Sequence, residues 1–250
     1  MPPRHTLADP SIDIRPSGSR HRTTIGWLDG RHSFDTGIDP FGHDTHHGLL
    51  VVHNHDTIAP QRGFDTHPHR DMEIVTWVLS GTLIHQDSEG HNGAIYPNLA
   101  QRMSAGTGIW HSEKNDGQGA TEPVDLVQMW VIPDEAGVTP GYQQLNIGPH
   151  ELDGKLAIVA SGIPKHRNDA AIRIRNRCAA LHVGRLEPGQ SVTVPDAAYA
   201  HVYLARGRGR LEGAGTLDVG DAARLTAAGP RRLQATLPTE VLVWEMHTSL

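Results

Sequence analysis

Two short segments hold the residues best suited to chemistry. They are Thr66-His67-Pro68-His69-Arg70 and, 44 residues after His67, Gly108-Ile109-Trp110-His111-Ser112-Glu113. In an extended chain, side chains at i and i+2 leave the same face, so each segment can aim two donors at one point. Two such strands facing each other make a four-donor site of His67, His69, His111 and Glu113. Three neutral imidazoles and one carboxylate suit a borderline divalent ion and leave one or two octahedral positions open. Pro68 removes a backbone donor between the two histidines, which places that segment at a strand end or sheet edge. With 18 histidines in the chain, roughly one His-x-His pair arises by chance. His53 and His55 form such a pair, expected to be an ordinary strand or loop pair rather than ligands. The first pair gains its weight from His111-x-Glu113, a hairpin's length away.

These donors need strands to carry them. Apolar stretches bounded by Gly, Pro, Asn and Asp recur at Gly48 to His53, Met72 to Leu79, Leu126 to Ile132, Ala179 to Val183, His201 to Ala205 and Glu240 to Met246. Long helical periodicity is missing and 17 prolines are spread along the chain, so the expected class is all-β, with only short helices. Met72 to Leu79 is apolar on both faces apart from Glu73, which calls for a second layer packed against its outer side. The Pro- and Gly-rich stretch Pro133 to Pro149 is the candidate linker, giving a tail over residues 1–22, a first half over 23–145 and a second over 146–250. A faint repeat supports two copies of one fold. Aligning Gly81 with Gly207 lays Thr76 to Leu79 on Val202 to Ala205, and aligning Arg102 with Arg224 lays Arg-Met-Ser-Ala-Gly on Arg-Leu-Thr-Ala-Ala. Thr193, Pro195, Leu233 and Ala235 then fall opposite the four donors, so the second half is expected to hold no metal.

The net charge of -6 hides unlike parts. Residues 1–150 hold 9 Lys+Arg against 18 Asp+Glu and the rest hold 13 against 10, which argues against direct nucleic-acid binding by a basic groove. The single cysteine, Cys178, allows no intrachain disulfide and no thiolate cluster, in keeping with a reducing, cytoplasmic setting. No apolar run approaches the roughly 18 residues of a membrane span or resembles a signal peptide. Arg173, Arg175, Arg177 and Arg206, Arg208, Arg210 alternate and read as solvated strand faces.

The two donor segments, with Gly26-Trp27-Leu28, Gly63-Phe64-Asp65, Val78-Leu79-Ser80-Gly81, His85-Gln86-Asp87-Ser88, Met103-Ser104-Ala105-Gly106 and Gln128-Met129-Trp130-Val131, resemble the pirin-like proteins of the cupin superfamily. The likeness runs over roughly residues 26 to 145. It implies a bicupin of two tandem jelly-roll β-barrels packed against each other, the second degenerate. It also implies one divalent metal held at His67, His69, His111 and Glu113, iron(II) first, with Mn, Ni, Co, Cu or Zn able to use the same donors. The general cupin pattern takes its carboxylate after the first His pair, where Glu73 stands. The pirin pattern favours Glu113 and leaves Glu73 as a nearby hydrogen-bonding residue.

The implied activity is that of a quercetin 2,3-dioxygenase. A flavonol would bind through its 3-hydroxyl, Glu113 would accept that proton as general base, and O2 would cleave the heterocycle with release of carbon monoxide. Phe64, Met103 and Trp110, beside the donors in sequence, are candidates for the wall of an aromatic pocket or for plain core. The family also includes transcriptional co-regulators, so a metal-bearing redox sensor without turnover is the alternative. A cupin isomerase or sugar-binding barrel is a third reading. Two barrels in one chain cover the surface that single-barrel relatives bury by dimerising, so a monomer is expected.

Overall fold

The computed structural model describes residues 9–35, 42–116, 120–148 and 150–250. Its strands in chain order are β1 (Ser11–Arg15), β2 (His21–Ile25), β3 (Leu28–His32), β4 (Leu50–Ile58), β5 (Arg62–His69), β6 (Glu73–Ser80), β7 (Leu83–Asp87), β8 (Asn92–Ile95), β9 (Leu99–Ser104), β10 (Ile109–Asn115) and β11 (Val124–Val131). They continue as β12 (Gly141–Asn146), β13 (Ala157–Ser161), β14 (Ile172–Arg173), β15 (Ala179–Leu186), β16 (Ser191–Val194), β17 (Tyr199–Arg206), β18 (Arg208–Leu211), β19 (Gly215–Asp218), β20 (Ala222–Thr226), β21 (Arg231–Ala235) and β22 (Thr239–Met246). Among the described residues, helix is confined to 3-10 turns at Ser17–Ser19 and Pro164–His166. Each of the six apolar stretches singled out above falls on a strand, with only Gly48, Leu49, Met72 and Ile132 outside the strand bounds.

Each half pairs a seven-stranded sheet with a four-stranded one. The first half has the orders β12-β9-β6-β11-β4-β3-β2 and β5-β10-β7-β8; the second has β1-β20-β17-β22-β15-β13-β14 and β16-β21-β18-β19. The repeat is visible in this correspondence: β6 and β17 hold equivalent places, as do β9 and β20, and β5-β10 and β16-β21. Gly81 and Gly207 each follow those equivalent strands with φ of 79°, a left-handed turn that a side chain disfavours. The fold is the two-domain cupin fold.

β6 is buried along seven of its eight residues because it is covered on both faces. Val75, Trp77 and Leu79 pack with Val127 and Met129 against Leu181, Tyr203, Leu242 and Trp244 of the second half, forming one core between the two large sheets. Burying a side chain of this size contributes about 1.5–3 kcal/mol, so the seam is a principal source of stability. Polar groups inside it are paired across the halves: Trp77 Nε1 donates to Glu240 at 2.7 Å, and Arg206 donates to the Leu79 carbonyl at 2.9 Å.

Two boundary expectations need correction. Residues 1–8 of the expected tail lie outside the described residues, but Ser11–Arg15 is β1 and pairs antiparallel with β20 of the second half. Its Ile12 and Ile14 pack on that half's interior cluster, an attachment that local composition did not signal. The expected linker contains β12, which pairs with β9; Pro149, at its end, lies outside the described residues.

Candidate metal centre

β5 is the edge strand of its sheet and β10 lies beside it. Pro68, opposite Trp110, thus sits on a strand with a neighbour on one side only, where a missing N–H is tolerated. His111 is directly opposite His67, and the strand period sends His111 and Glu113 inward, at 2% and 3% exposure, while Trp110 points outward at 54%. Between His111 and Glu113 the register slips, so that Glu113 faces Phe64. Such a bulge re-aims the side chains beside it.

The three histidines meet. Ring centroids are 4.8 Å apart for His67–His69, 4.5 Å for His67–His111 and 4.8 Å for His69–His111, and one nitrogen from each falls within 4.8 Å of the others. His67 Nδ1 donates to the Asp65 carbonyl at 2.7 Å, leaving Nε2 free to face a metal, the usual arrangement for a ligating histidine. Both ring nitrogens of His111 are buried without a partner. Leaving such groups unmet costs about 1–3 kcal/mol each, a cost that a bound ion removes at one of the two nitrogens. Burial first, then the His67 and His85 rings, lowers the His111 pKa to about 3. Burial and the His111 and His67 rings lower that of His69 to about 4. Both rings are thus neutral and able to ligate at neutral pH.

Glu113 sits one step deeper, grouped within 4.8 Å of His111 and His85. Its Oε2 accepts a 2.7 Å hydrogen bond from Gln128 Nε2, and Gln128 Oε1 accepts one of 3.0 Å from Trp130 Nε1. The chain of donors requires an accepting carboxylate at Glu113. The Trp130 ring also stands edge-on to His69 at 4.8 Å and packs on Ile74, Met103, Ala105 and Ile109.

Several expectations resolve differently. Glu73 is buried but turned away from the donors: its Oε2 accepts the Arg175 N–H at 3.0 Å and lies 4.0 Å from Arg102 Nε. The turn through Asp71, with φ of 48°, breaks the strand parity that placed Glu73 beside the histidines. Trp110 points to solvent, and Phe64 packs edge-on against Trp27 at 5.2 Å with its ring 6.3 Å from His67; Met103 is buried in the cluster on which Trp130, beside His69, packs. His53 lies buried at the seam and His55 bonds Asp125 at 2.8 Å, so neither joins the donors. Trp130, Gln128 and His85 were missed. The alternation Gln128-Met129-Trp130 already placed the outer two on one strand face, but nothing local told which face looked inward.

The second half has filled the equivalent space with hydrocarbon. Leu233 stands opposite Val192, as His111 stands opposite His67, so the equivalent positions on β16 are Val192 and Val194 rather than the expected Thr193 and Pro195, and these two are buried with Leu233 and Ala235 in one cluster. A separate group, His166, His182 and Glu245, lies close enough to hold an ion, yet Lys165, His182 and His247 each already reach the Glu245 carboxylate at 2.8 Å. Burial pushes Glu245 up, but those three hydrogen bonds outweigh it and hold the carboxyl well below the usual range. An ammonium already balances this carboxylate, whereas among the described residues no Lys or Arg forms an ion pair with Glu113 of the first half.

Comparison with known proteins agrees with this geometry. The pirin family model matches residues 16–131. A Mycobacterium tuberculosis protein provisionally named quercetin 2,3-dioxygenase is 55% identical over 240 residues, 96% of this chain and 97% of that one. An Escherichia coli quercetin 2,3-dioxygenase is 41% identical over 159 residues, 59% of this chain and 67% of its own. The crystal structure of the E. coli bacterial pirin YhhW in complex with nickel(II) superposes with a TM-score of 0.84 at 31% identity, covering 96% of this chain and 100% of that one. Sequence, fold and donor geometry together place the chain in the pirin family of the cupin superfamily.

Proposed function

We propose that this chain is a metal-dependent dioxygenase that opens the ring of flavonol-like substrates, with one ion, iron(II), held by His67, His69, His111 and Glu113. The observation that carries the reading is His111, buried with both ring nitrogens unpartnered between two further imidazoles and a carboxylate. When bound, the ion supplies Lewis acidity and redox chemistry with dioxygen. The protein supplies the rest. Trp130, half-buried beside His69, offers an apolar face for a flat aromatic ring, backed by the buried Met103 and Ile74. Glu113 accepts the proton of the substrate hydroxyl, and the hydrogen bond from Gln128 orients it as the accepting carboxylate. Quercetin dioxygenase names among relatives support this substrate class. No described helix is long and apolar enough to cross a membrane. The lone thiol fits a cytoplasmic home, and the continuous core between the halves fits a monomer.

The test is anaerobic reconstitution with iron(II), then addition of quercetin and oxygen beside a His111→Ala control. Loss of flavonol absorbance with carbon monoxide release, absent in the control, is the expected result. Metal retention without turnover would instead favour a redox sensor or co-regulator. For that reading the exposed Trp110, next to His111, would be the natural contact for a partner.

A further inference from the structure

The second half lays one strap across the first. Along Arg173-Ile174-Arg175-Asn176-Arg177, which runs on from β14, burial alternates: Ile174 and Asn176 are buried and the three arginines are exposed. The backbone of each arginine is held by the first half. Arg173 N–H donates to Gln143 Oε1 at 3.0 Å, and its carbonyl accepts from Arg102 Nε at 2.9 Å. Arg175 N–H donates to Glu73 Oε2 at 3.0 Å, and its carbonyl accepts from the Asp134 N–H at 2.8 Å. Arg177 N–H donates to Asp134 Oδ2 at 2.7 Å. A backbone pinned in this way fixes the strap while its alternate side chains stay on the outer face.

Exposed as expected, the arginine run also walls a recess. A cleft of about 470 Å³ lies where the halves meet, lined by Arg102, Asp134 and Glu135 of the first half and by Arg173, Arg175 and Arg177 of the second. Two of its cations are already matched. Arg177 Nε donates to Asp134 Oδ2 at 3.1 Å, and the largely buried Arg102 has Glu73 at 4.0 Å. Among the described residues, neither Arg173 nor Arg175 forms an ion pair through its guanidinium. That leaves two cationic forks in the cleft against Glu135, the one lining carboxylate with no ion pair among the described residues.

We infer that this cleft binds a small phosphomonoester, its phosphate held by the Arg173 and Arg175 guanidinium groups. An arginine fork meets two phosphate oxygens at once, in charge-assisted hydrogen bonds about twice as strong as neutral ones. A phosphomonoester carries a charge of about −1.5 to −2 at neutral pH, which offsets both unmatched cations. The cleft falls in the range of about 300–1,000 Å³ usual for small-molecule sites, so it has room for an organic group beyond the phosphate. Asp134 and Glu135 beside the arginines disfavour an extended polyanion such as a nucleic-acid strand. Because the strap backbone is already fixed, little order is lost when the ligand arrives. The inference does not depend on the metal-centre reading.

Glycerol 2-phosphate is titrated by calorimetry into the wild-type chain and into Arg173→Gln, Arg175→Gln, Glu135→Gln and Arg210→Gln, after near-ultraviolet circular dichroism has verified folding. The wild type is expected to bind it, Arg173→Gln and Arg175→Gln to bind about tenfold or more weakly each, and Glu135→Gln to bind about twofold or more tightly. Arg210→Gln removes an exposed arginine of the second alternating run, on β18, and is expected to keep wild-type affinity. No binding by the wild type overturns the site. An equal loss in Arg175→Gln and Arg210→Gln does so too, because it would report net charge alone. If both strap variants fail to fold, Glu135→Gln decides, and affinity no tighter than wild type there overturns the placement. Tighter binding of a single-stranded oligonucleotide, lost in the same two strap variants, would overturn the small-ligand reading in favour of a nucleic acid.

Discussion

In the proposed centre, removing one imidazole from the trio of His67, His69 and His111 leaves two of its three rings to hold the ion. Outer-shell partners of a ligand typically govern 10–100-fold in metal affinity, so His67→Gln should cost at least about a hundredfold, read by metal content after dialysis. Cys178→Ser should keep the wild-type content, because that thiol packs partly buried on the core between the halves, far from the donors; equal metal loss in both variants would contradict the assignment. Gln128→Leu removes the donor to Glu113 Oε2 while preserving bulk, and is expected to weaken metal binding by about tenfold or more by calorimetry. The four proposed donors were legible because residue type and i, i+2 spacing bear directly on ligation. Gln128 and Trp130 were not, because their link to Glu113 runs across neighbouring strands, and nothing in the local sequence fixes which face of β11 looks inward.

At the scale of elements, the centre depends on how closely β5 approaches β10. A Cβ at Gly63 would lie 2.3 Å from the Glu113 carbonyl oxygen and 2.5 Å from Lys114 Cα, so the glycine sets the strand separation at the register slip. Gly63→Ala must push the ligand-bearing strands apart. It is expected to lower metal affinity by about tenfold or more, measured by calorimetry, while far-ultraviolet circular dichroism stays that of a β protein. Strand positions were largely readable from apolar runs and their punctuation, and the edge placement of β5 from Pro68. Parity across turns was not: the left-handed Asp71 turned Glu73 to the opposite face from the one that counting along the chain assigned it. β12 also escaped, since Gly-Tyr-Gln-Gln-Leu-Asn is stabilised as a strand by pairing with β9; Ser-Ile-Asp-Ile-Arg alternates as a strand does, but nothing local told that β1 pairs with β20 of the second half.

Across the whole molecule, the seam between halves buries histidines that resist protonation. Burial, then Arg224, lowers the His47 pKa to about 4, and its ring reaches the Ala200 and Leu225 carbonyls of the second half at 3.2 Å. Burial first, then neighbouring cationic groups, holds His53 and His201 well below their ordinary value, with rings 4.6 Å apart. On acidification the unfolded chain protonates these rings near 6.5 while the folded protein does not, so stability is full above that value and falls as pH drops towards 4. Asp56 works the other way. Burial raises its pKa to about 7, so its contribution is present at low pH and fades as pH rises through that value. Three imidazoles outweigh one carboxyl, and the metal-free protein should lose stability between pH 7 and 5. His201→Leu is expected to flatten that dependence by about 1.4 kcal/mol per pH unit in urea unfolding; an unchanged slope would contradict the account.

The measurement that bears most directly on the centre is an anomalous difference map from crystals of the nickel-loaded protein. The expected result is a single strong peak in the first barrel, within bonding distance of the His111 ring and among His67, His69 and Glu113. A peak at the His166–His182–Glu245 cluster of the second barrel, with none beside His111, would contradict it.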